Sequence, residues 1–451
     1  MRSGPAGVHG ESPPAVTATW TAHVPPELIG RVTAEVTRLA GRLRDPDTVA
    51  RNAELARART SGPYFFQPGT LTSGFPGIAL FYAYLAAARP GAGWDQAARE
   101  LISRAAAATR DRPLTHPGLY PGSAGFAFTL RCLSALDDRF ANAAARLAGQ
   151  VALQVLREHP RPGGYRDAAE MDVISGDAGV LAALLTVPGP TAAVRDAIGA
   201  LIRDLVTLCL TGDEAGSGQW LVYSGLPNGS PGGFAGWYDM GLSHGVLGPA
   251  AALALALAAG HDEEGMADAI EHVRAWVTSH RIEDDDGIRW PAGYLPGEDA
   301  ARRAARAARP AWCYGGVGVA RALWLIGRAL DDAGQRRFAL RAARSAVAQV
   351  VSRAAPRGAT LCHGTSGVLQ CCLRFVAETG DEGLRSFIPP LAGRVLASCD
   401  PALPFIVSEE RADGQWVDDP GFLAGAAGTG LALLALSTEV TPRWDRALLM
   451  S

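Results

Sequence analysis

Charge of either sign is scarce in this chain. Charged residues make up 19% of its 451 positions, and the formal net charge is only -3. Proteins that bind nucleic acid usually carry a strong basic excess, so this composition argues against such a partner. No apolar run reaches the ~18 residues of a membrane-spanning helix, and the first residues lack the apolar core of a secretory signal. The sequence therefore predicts a soluble, cytoplasmic protein without a membrane span.

Disulfide bonds and β-structure are also disfavoured. The seven cysteines are an odd number without regular spacing, so in a reducing compartment they are expected to be free thiols or metal ligands. Ile, Thr, Tyr and Phe are sparse, whereas Ala, Leu, Val and Arg are abundant, which favours helices over strands. Residues 1–22 are rich in Gly, Pro, Ser and Thr and are predicted to be disordered. A single domain is predicted over residues 23–451.

A repeated motif is the main signal in the sequence. A Gly-x-x-Gly pair followed by small and apolar residues occurs seven times, with its first glycine at 74, 122, 176, 245, 315, 364 and 425. The repeats are 48 to 70 residues apart, a length that accommodates two helices and their connections. Before most turns lies an amphipathic helix, such as 96–110 or 191–210, and after each turn a helix that is apolar nearly all round.

This alternation predicts the architecture. The amphipathic helix of each repeat should lie outside, and the apolar helix should be buried. Because no inner helix carries a polar cap for the end of an open array, we predict a closed ring. The expected fold is all-α, an α/α toroid of seven helix pairs with about fourteen helices.

In such a ring the seven turns meet at one mouth, where the residue before each first glycine lines a shared cavity. Chemically active residues are concentrated in the fourth, fifth and sixth turns, Ser243-His244-Gly245, Trp312-Cys313-Tyr314-Gly315 and Cys362-His363-Gly364. Two long connections, 212–239 and 281–299, lead to the fourth and fifth turns. They are predicted to form walls that bind the substrate.

Cys313, Cys362 and His363 come from adjacent turns and should meet at the mouth. A set of two Cys and one His leaves the fourth tetrahedral position of zinc open, as in catalytic sites. Each cysteine alone could be a small core residue, but the matched trio indicates a metal site. The cysteines within helices are predicted to belong to the core: Cys132, Cys371 and Cys372.

Four further residues are candidates for chemistry. His244 has the motif position of His363 but no neighbouring Cys, so it is a candidate for proton transfer or only for hydrogen bonding at its helix start. Asp172 can act as a base, orient a histidine or simply cap a helix. Arg309 can neutralise developing negative charge or, as the end of an arginine-rich stretch, be solvated. Tyr314 can donate a proton or pack.

These motifs together resemble the lanthionine synthetase C (LanC-like) cyclase family, from about residue 25 onward. The resemblance implies an α/α toroid of fourteen helices. It implies one zinc ion held by Cys313, Cys362 and His363, with water or a substrate thiolate as the fourth ligand. The other site residues that it implies are an acid/base pair and two neighbours: His244, Asp172, Arg309 and Tyr314. Many members have a proline where Gly316-Val317 stands, a difference that should affect turn stiffness rather than chemistry.

The resemblance also implies a reaction of lanthipeptide (lantibiotic) biosynthesis. Peptide Cys thiolates would add intramolecularly, in Michael fashion, to dehydroalanine or dehydrobutyrine and form lanthionine or methyllanthionine thioether rings. The implied substrate is a dehydrated precursor peptide. Members fused to a dehydratase are much longer, so this chain is expected to be a free-standing cyclase that works with a separate dehydratase.

Two alternatives remain open. A LanC-like protein could add glutathione to dehydrated residues, or the ring could bind peptides without catalysis and hold zinc structurally. Protein prenylation also uses a zinc-activated thiolate, but it would need clustered basic and aromatic residues for an isoprenoid diphosphate. No such cluster is present at the turns.

Overall fold

A computed structural model describes residues 20–59, 66–161, 163–165, 167–212, 218–223, 236–305, 307–352, 358–410 and 414–451. In these residues the α-helices are, in chain order, Ile29–Leu43 (α1), Pro46–Ala58 (α2), Phe75–Ala88 (α3), Trp94–Asp111 (α4), Ser123–Ser134 (α5), Ala141–Glu158 (α6), Ala168–Met171 (α7), Asp177–Leu184 (α8), Ala192–Thr211 (α9), Leu247–Ala258 (α10), Met266–Ser279 (α11), Ala300–Ala305 (α12), Gly316–Ala329 (α13), Ala333–Ser352 (α14), Thr365–Thr379 (α15), Glu382–Arg385 (α16), Ile388–Ala397 (α17) and Ala426–Ser437 (α18). The strands are Leu221–Val222 (β1), Trp237–Asp239 (β2), Ile282–Asp284 (β3), Gly287–Arg289 (β4), Gly293–Tyr294 (β5), Ser408–Glu410 (β6) and Trp416–Asp418 (β7). Single 3₁₀ turns cover Pro26–Leu28 and Asp138–Phe140, and a longer 3₁₀ segment covers Arg443–Leu448.

Seven pairs of helices form a closed ring. The inner helices α3, α5, α8, α10, α13, α15 and α18 each begin one or two residues after the first glycine of a repeat, and most of their residues are buried. Each packs on an outer, more polar helix: in the same order α4, α6, α9, α11, α14, α17 and α1. The last inner helix, α18, contacts both α1 and α3. The predicted toroid of seven helix pairs is therefore confirmed, and the described residues form four further helices between its members, α2, α7, α12 and α16.

Backbone hydrogen bonds join each turn to the next around the whole ring. Each bond connects residues two or three positions before the first glycines, with N···O distances from 2.8 to 3.4 Å. Because the last turn donates back to the first, the ring has no open end. The donor and acceptor residues are Thr72 to Tyr120, Tyr120 to Ile174, Val173 to Ser243, Leu242 to Cys313, Cys313 to Cys362, Cys362 to Leu423 and Phe422 to Thr72.

The second glycine of each motif lets these turns approach one another. A Cβ atom at Gly318 would lie 2.0 Å from the carbonyl oxygen of Trp312 and 3.3 Å from Leu242 Cβ of the preceding turn. The same atom at Gly367 would lie 2.0 Å from the carbonyl oxygen of Leu361. Any side chain at these positions would push the turns apart.

The last residues of the chain lie inside the ring. The segment Arg443–Leu448 contacts α5 and α8. Its carbonyl groups accept hydrogen bonds from two turn residues, Ala447 from the Tyr120 hydroxyl at 3.0 Å and Leu448 from Trp312 Nε1 at 2.8 Å. The C-terminal segment therefore connects the centre of the ring to the fifth turn, which carries Cys313.

One residue of the predicted disordered segment is in fact part of the fold. Trp20 is buried, its Nε1 donates to the Ala435 carbonyl at 2.8 Å, and its ring packs on the guanidinium of Arg374. A tryptophan gains enough by burying its large apolar area to dock a neighbouring stretch of polar chain. Residues 1–19 of the predicted segment lie outside the described residues.

The all-α prediction also overlooked three small antiparallel sheets. Strands β1, β2 and β5 form one sheet that joins the two long connections before the fourth and fifth turns, while β3–β4 and β6–β7 are two-stranded. Residues 213–217 and 224–235 of the first connection lie outside the described residues. The role of the two connections as substrate-binding walls therefore stays a prediction. In the described part of the chain, no helix is long and apolar enough to cross a membrane.

A buried cluster of charged residues supports the third turn through Asp177, which directly follows the first glycine of that turn. His159 lies between two carboxylates, with Nδ1 at 2.5 Å from Asp204 Oδ2 and Nε2 at 3.3 Å from Asp177 Oδ2. Arg161 donates to both carboxylate oxygens of Asp177 and stacks over the ring of Tyr165. Burial alone would lower the pKa of His159, but the hydrogen bonds with Asp177 and Asp204 outweigh it and raise the pKa to about 9.

We expect the stability of the protein to fall as the pH rises because of this cluster. The raised pKa of His159 favours folding below its ordinary value of 6.5, and this contribution is lost as the pH rises through about 9. Its size is on the order of 2 kcal/mol. Urea unfolding midpoints measured between pH 6 and 9.5 should fall in the native chain. They should change much less in His159→Gln; an equal slope in the variant would contradict the assignment.

We expect Gly318→Ala to destabilise the ring by about 3 kcal/mol, because its methyl group would displace the fifth turn. The matched control is Gly149→Ala, within α6, where a Cβ atom meets nothing within 4 Å and the change should stabilise by about 0.5–1 kcal/mol. Thermal unfolding of the two variants measures both effects. Similar unfolding temperatures for the two variants would disprove the close-approach argument.

Candidate metal centre

The three predicted metal ligands meet at the mouth of the ring. One donor atom from each of Cys313, Cys362 and His363 lies within 4.8 Å of the other two. The two cysteines are buried, whereas the His363 side chain is 53% exposed. Since the backbone groups of both cysteines belong to the ring of turn-to-turn hydrogen bonds, the same bonds that close the toroid bring the thiols together. The cluster is thus shielded on its cysteine side and open on its histidine side.

The donor set fits zinc. The Cys362 Sγ to His363 Nε2 distance is 3.8 Å, and tetrahedral zinc with ordinary bond lengths separates a sulfur and a nitrogen ligand by about 3.5 Å. Burial alone would raise the pKa of Cys313, but the hydrogen bond from Cys362 and the charge of His363 hold it well below its ordinary value. A thiolate is therefore favoured here, as zinc ligation requires. These residues could hold one metal ion with one position left for another ligand.

Glu409 fixes the orientation of His363, a role that the sequence analysis missed. Its Oε1 lies 2.6 Å from His363 Nδ1 and accepts a hydrogen bond from the Thr360 hydroxyl at 3.2 Å. Because Nδ1 is engaged in this way, Nε2 is the nitrogen that faces Cys362. Glu409 lies on β6, far from any repeat motif, so no spacing in the sequence indicated it.

His244 and Asp172 form a pair on the neighbouring turns. His244 Nδ1 lies 2.6 Å from Asp172 Oδ2, and Asp172 Oδ1 accepts the backbone N–H groups of Ser175 and Gly176. Burial opposes protonation of His244, but the hydrogen bond and charge of Asp172 raise its pKa. Asp172 therefore combines two roles that the sequence left open, because it caps the third turn and orients the histidine.

Tyr314 is engaged by a residue that the sequence analysis did not single out. Its hydroxyl donates to Asp239 Oδ2 at 2.8 Å, while Asp239 Oδ1 accepts the Gly241 N–H. Complete burial raises the pKa of Asp239 to about 6. Asp239 and Asp419 both lie six residues before a first glycine, and both accept an N–H two residues further on. An aspartate six residues before a first glycine could therefore have been recognised in the sequence as a residue that hydrogen-bonds within its turn.

Arg309 is the least constrained of the predicted site residues. Its side chain is exposed and makes no hydrogen bond or ion pair with the described residues, while its carbonyl oxygen packs under Gly315. Gly315 has φ +88°, a conformation that favours glycine. The backbone of Arg309 is therefore close to the turn that carries Cys313, and a catalytic role of its side chain stays a prediction. The helical cysteines predicted to be core residues are buried: Cys132, Cys371 and Cys372.

A closed ring of seven helix pairs defines an α/α toroid, and the Cys₂His cluster at its mouth could hold a metal ion. Residues 66–449 match the family described as lanthionine synthetase C-like protein, and the chain belongs to this family. It is 24% identical over 396 residues to nisin biosynthesis protein NisC of Lactococcus lactis subsp. lactis, which covers 84% of this chain and 88% of that protein. The structure of nisin cyclase has the same fold, with a TM-score of 0.72 at 20% identity over 94% of this chain and 98% of that one.

We expect Glu409→Gln to weaken zinc binding by about 10- to 100-fold, because it removes the carboxylate that orients His363. The matched control is Glu410→Gln, the next residue of the same strand, whose side chain points to the opposite face. Competition with a zinc chelator measures the affinity of each purified variant. Equal zinc affinity in Glu409→Gln and Glu410→Gln would disprove the role of Glu409.

Proposed function

We propose that this chain is a zinc-dependent lanthipeptide cyclase that joins cysteine thiols of a dehydrated precursor peptide to dehydroalanine or dehydrobutyrine. The observation that carries the proposal is the open cluster of Cys313, Cys362 and His363 on adjacent turns, beside the His244–Asp172 pair. The products would be lanthionine and methyllanthionine rings. A separate dehydratase would supply the substrate, and we assign the protein to the cytoplasm.

The first requirement of this reaction is a thiolate, since a free cysteine has a pKa of ~8.5. Zinc bound to the cluster supplies an open position at which a substrate thiol ionises near neutral pH. The exposed side of His363 leaves room for the peptide, while the buried Cys313 and Cys362 exclude water from the opposite side. Glu409 keeps Nε2 of His363 directed at the cluster.

The second requirement is a proton. When the thiolate sulfur bonds to the alkene β-carbon, the π electrons of the alkene move to form an enolate. His244 is half-exposed. Burial lowers its pKa, but the hydrogen bond and charge of Asp172 outweigh this effect and raise the pKa, which favours the protonated form. In the proposed mechanism His244 gives that proton to the α-carbon, and Asp172 keeps the ring oriented. The proton released when the substrate thiol ionises restores His244, so the reaction needs no net acid or base.

Tyr314 and Arg309 would act around this step. The Tyr314 hydroxyl already donates to Asp239, which favours a role in holding the fifth turn and the wall beside His244 over a role as acid. The centroids of the Tyr314 and His244 rings are 6.4 Å apart. Arg309, which has no described ionic partner, is free to approach the enolate oxygen and stabilise its negative charge.

Cyclisation does not change the mass of a peptide, so the test must count free thiols. A dehydrated peptide is incubated with the protein, alkylated with a thiol reagent and analysed by mass spectrometry. Loss of alkylation without a change in peptide mass supports cyclisation. Full alkylation after incubation with zinc-loaded protein would disprove the proposal.

We expect Cys313→Ala to lose both zinc and cyclisation. His244→Asn should retain zinc but cyclise at least ~100-fold more slowly, because only the proton donor is lost. Zinc content by atomic emission and the rate of loss of free thiols separate the two effects. Full cyclisation by zinc-free Cys313→Ala would contradict catalysis at the cluster and favour a structural role for the metal.

The glutathione alternative has its own signature. Incubation of the dehydrated peptide with the protein and glutathione would add one glutathione mass for each modified residue and leave the peptide cysteines open to alkylation. This outcome would redirect the proposal to intermolecular addition at the same cluster.

A further inference from the structure

A cavity that several arginines line lies at the opposite end of the ring from the Cys313, Cys362 and His363 cluster. It has a volume of about 270 Å³, and four arginines line it, Arg131, Arg374, Arg443 and Arg446. The second turn begins α5 at Ser123, and Arg131 lies eight residues along this helix (131 − 123). At 1.5 Å per residue, this places Arg131 roughly 12 Å below the turns.

These arginines have few negative partners. Arg374 forms a two-pronged ion pair with Asp445. Arg131 donates to the Thr186 carbonyl and the Ser134 hydroxyl, neither of which is charged. The side chains of Arg443 and Arg446 make no hydrogen bond or ion pair with the described residues. Even if the terminal carboxylate of Ser451, which also lines the cavity, is counted, positive charge is in excess.

The surroundings of Arg446 make its lack of a partner costly. Burial and the positive charges of Arg374, Arg321 and Arg328 lower its pKa to about 10, although the adjacent Asp445 opposes this shift. The carboxylates beside those arginines are already engaged, Asp445 with Arg374 and Glu378 with Arg321 and Arg328. A guanidinium held in such a place is stabilised when an anion enters.

We propose that this cavity is a binding site for a phosphate-type oxyanion, held by Arg131, Arg443 and Arg446. A tetrahedral anion with close to two negative charges matches three unneutralised guanidiniums that come from two elements, and its oxygens can accept hydrogen bonds from all of them. A monocarboxylate offers one charge and two oxygens in one plane, so it would satisfy fewer donors. The site is independent of the reaction assigned to the metal cluster.

The ligand would tie the C-terminal segment to the inner helices. Arg443 and Arg446 lie on the segment Arg443–Leu448, whereas Arg131 lies on α5. The same segment accepts the Trp312 hydrogen bond through Leu448. An anion between these elements therefore stabilises the centre of the ring and, through it, the turn that carries Cys313.

The test uses the full chain in a buffer free of phosphate and sulfate. Inorganic phosphate is added at constant ionic strength, with sodium chloride and sodium acetate as the comparison salts. We expect phosphate to raise the thermal unfolding midpoint by about 3 °C at saturation, while chloride and acetate raise it by less than a third of this. Equilibrium dialysis with labelled phosphate should give one ion per chain.

Three variants locate the site. Arg446→Gln and Arg443→Gln should each weaken phosphate binding at least tenfold. Arg110→Gln, an exposed arginine in the last turn of outer helix α4, should bind phosphate as the native chain does. If Arg446→Gln does not fold, the exposed Arg443 still decides the question. Unchanged binding in Arg443→Gln, no saturable binding to the native chain, or equal effects of acetate and phosphate would overturn the proposal.

Discussion

The ring of backbone hydrogen bonds between successive turns is the interaction on which the rest of this structure depends. It runs through all seven turns and returns from the last turn to the first, so every turn has a neighbour on both sides. The bonds use main-chain groups, so they leave the side chains of the turns available. In the fourth to sixth turns these side chains are chemically active. His244, Tyr314 and His363 stand directly before a first glycine, where the other turns have serine, proline or alanine. Cys313 and Cys362 stand one position earlier, where the other turns have no cysteine. The same turns therefore close the ring and carry the candidate site residues.

Each active side chain is held by a carboxylate from a different part of the chain. Asp172 orients His244, Asp239 engages Tyr314, and Glu409 orients His363. The first two precede turns of the ring, whereas Glu409 comes from a hairpin between the sixth and seventh turns. This arrangement separates two tasks. The turns set the distances between the Cys313, Cys362, His363 and His244 side chains, and the carboxylates set the direction and charge state of the two histidines.

The ring also links its two ends. The C-terminal segment that contacts Trp312, in the turn of Cys313, carries Arg443 and Arg446 at the far cavity. The buried cluster of His159, Asp177 and Asp204 also supports a turn, because Asp177 directly follows the first glycine of the third turn. The third turn is thus supported by paired charged groups below it, while the inner helices contribute mainly buried apolar residues.

Much of the fold and the metal cluster followed from periodic features of the sequence. Gly-x-x-Gly recurrence predicted the turns, helix amphipathicity predicted the inner and outer layers, and the matched positions of Cys313 and Cys362 predicted the cluster. Such features are local, so neighbouring residues determine them. The contact of Glu409 with His363, that of Asp239 with Tyr314, the docking of Trp20 and the sheet between the long connections could not be predicted in this way, because each depends on partners brought from distant parts of the chain. The sequence by itself determined which helices lie inside and outside and which residues form the Cys₂His cluster. Only the tertiary structure decided which carboxylate meets which histidine, because loops without a repeat have no spacing from which their partners can be predicted.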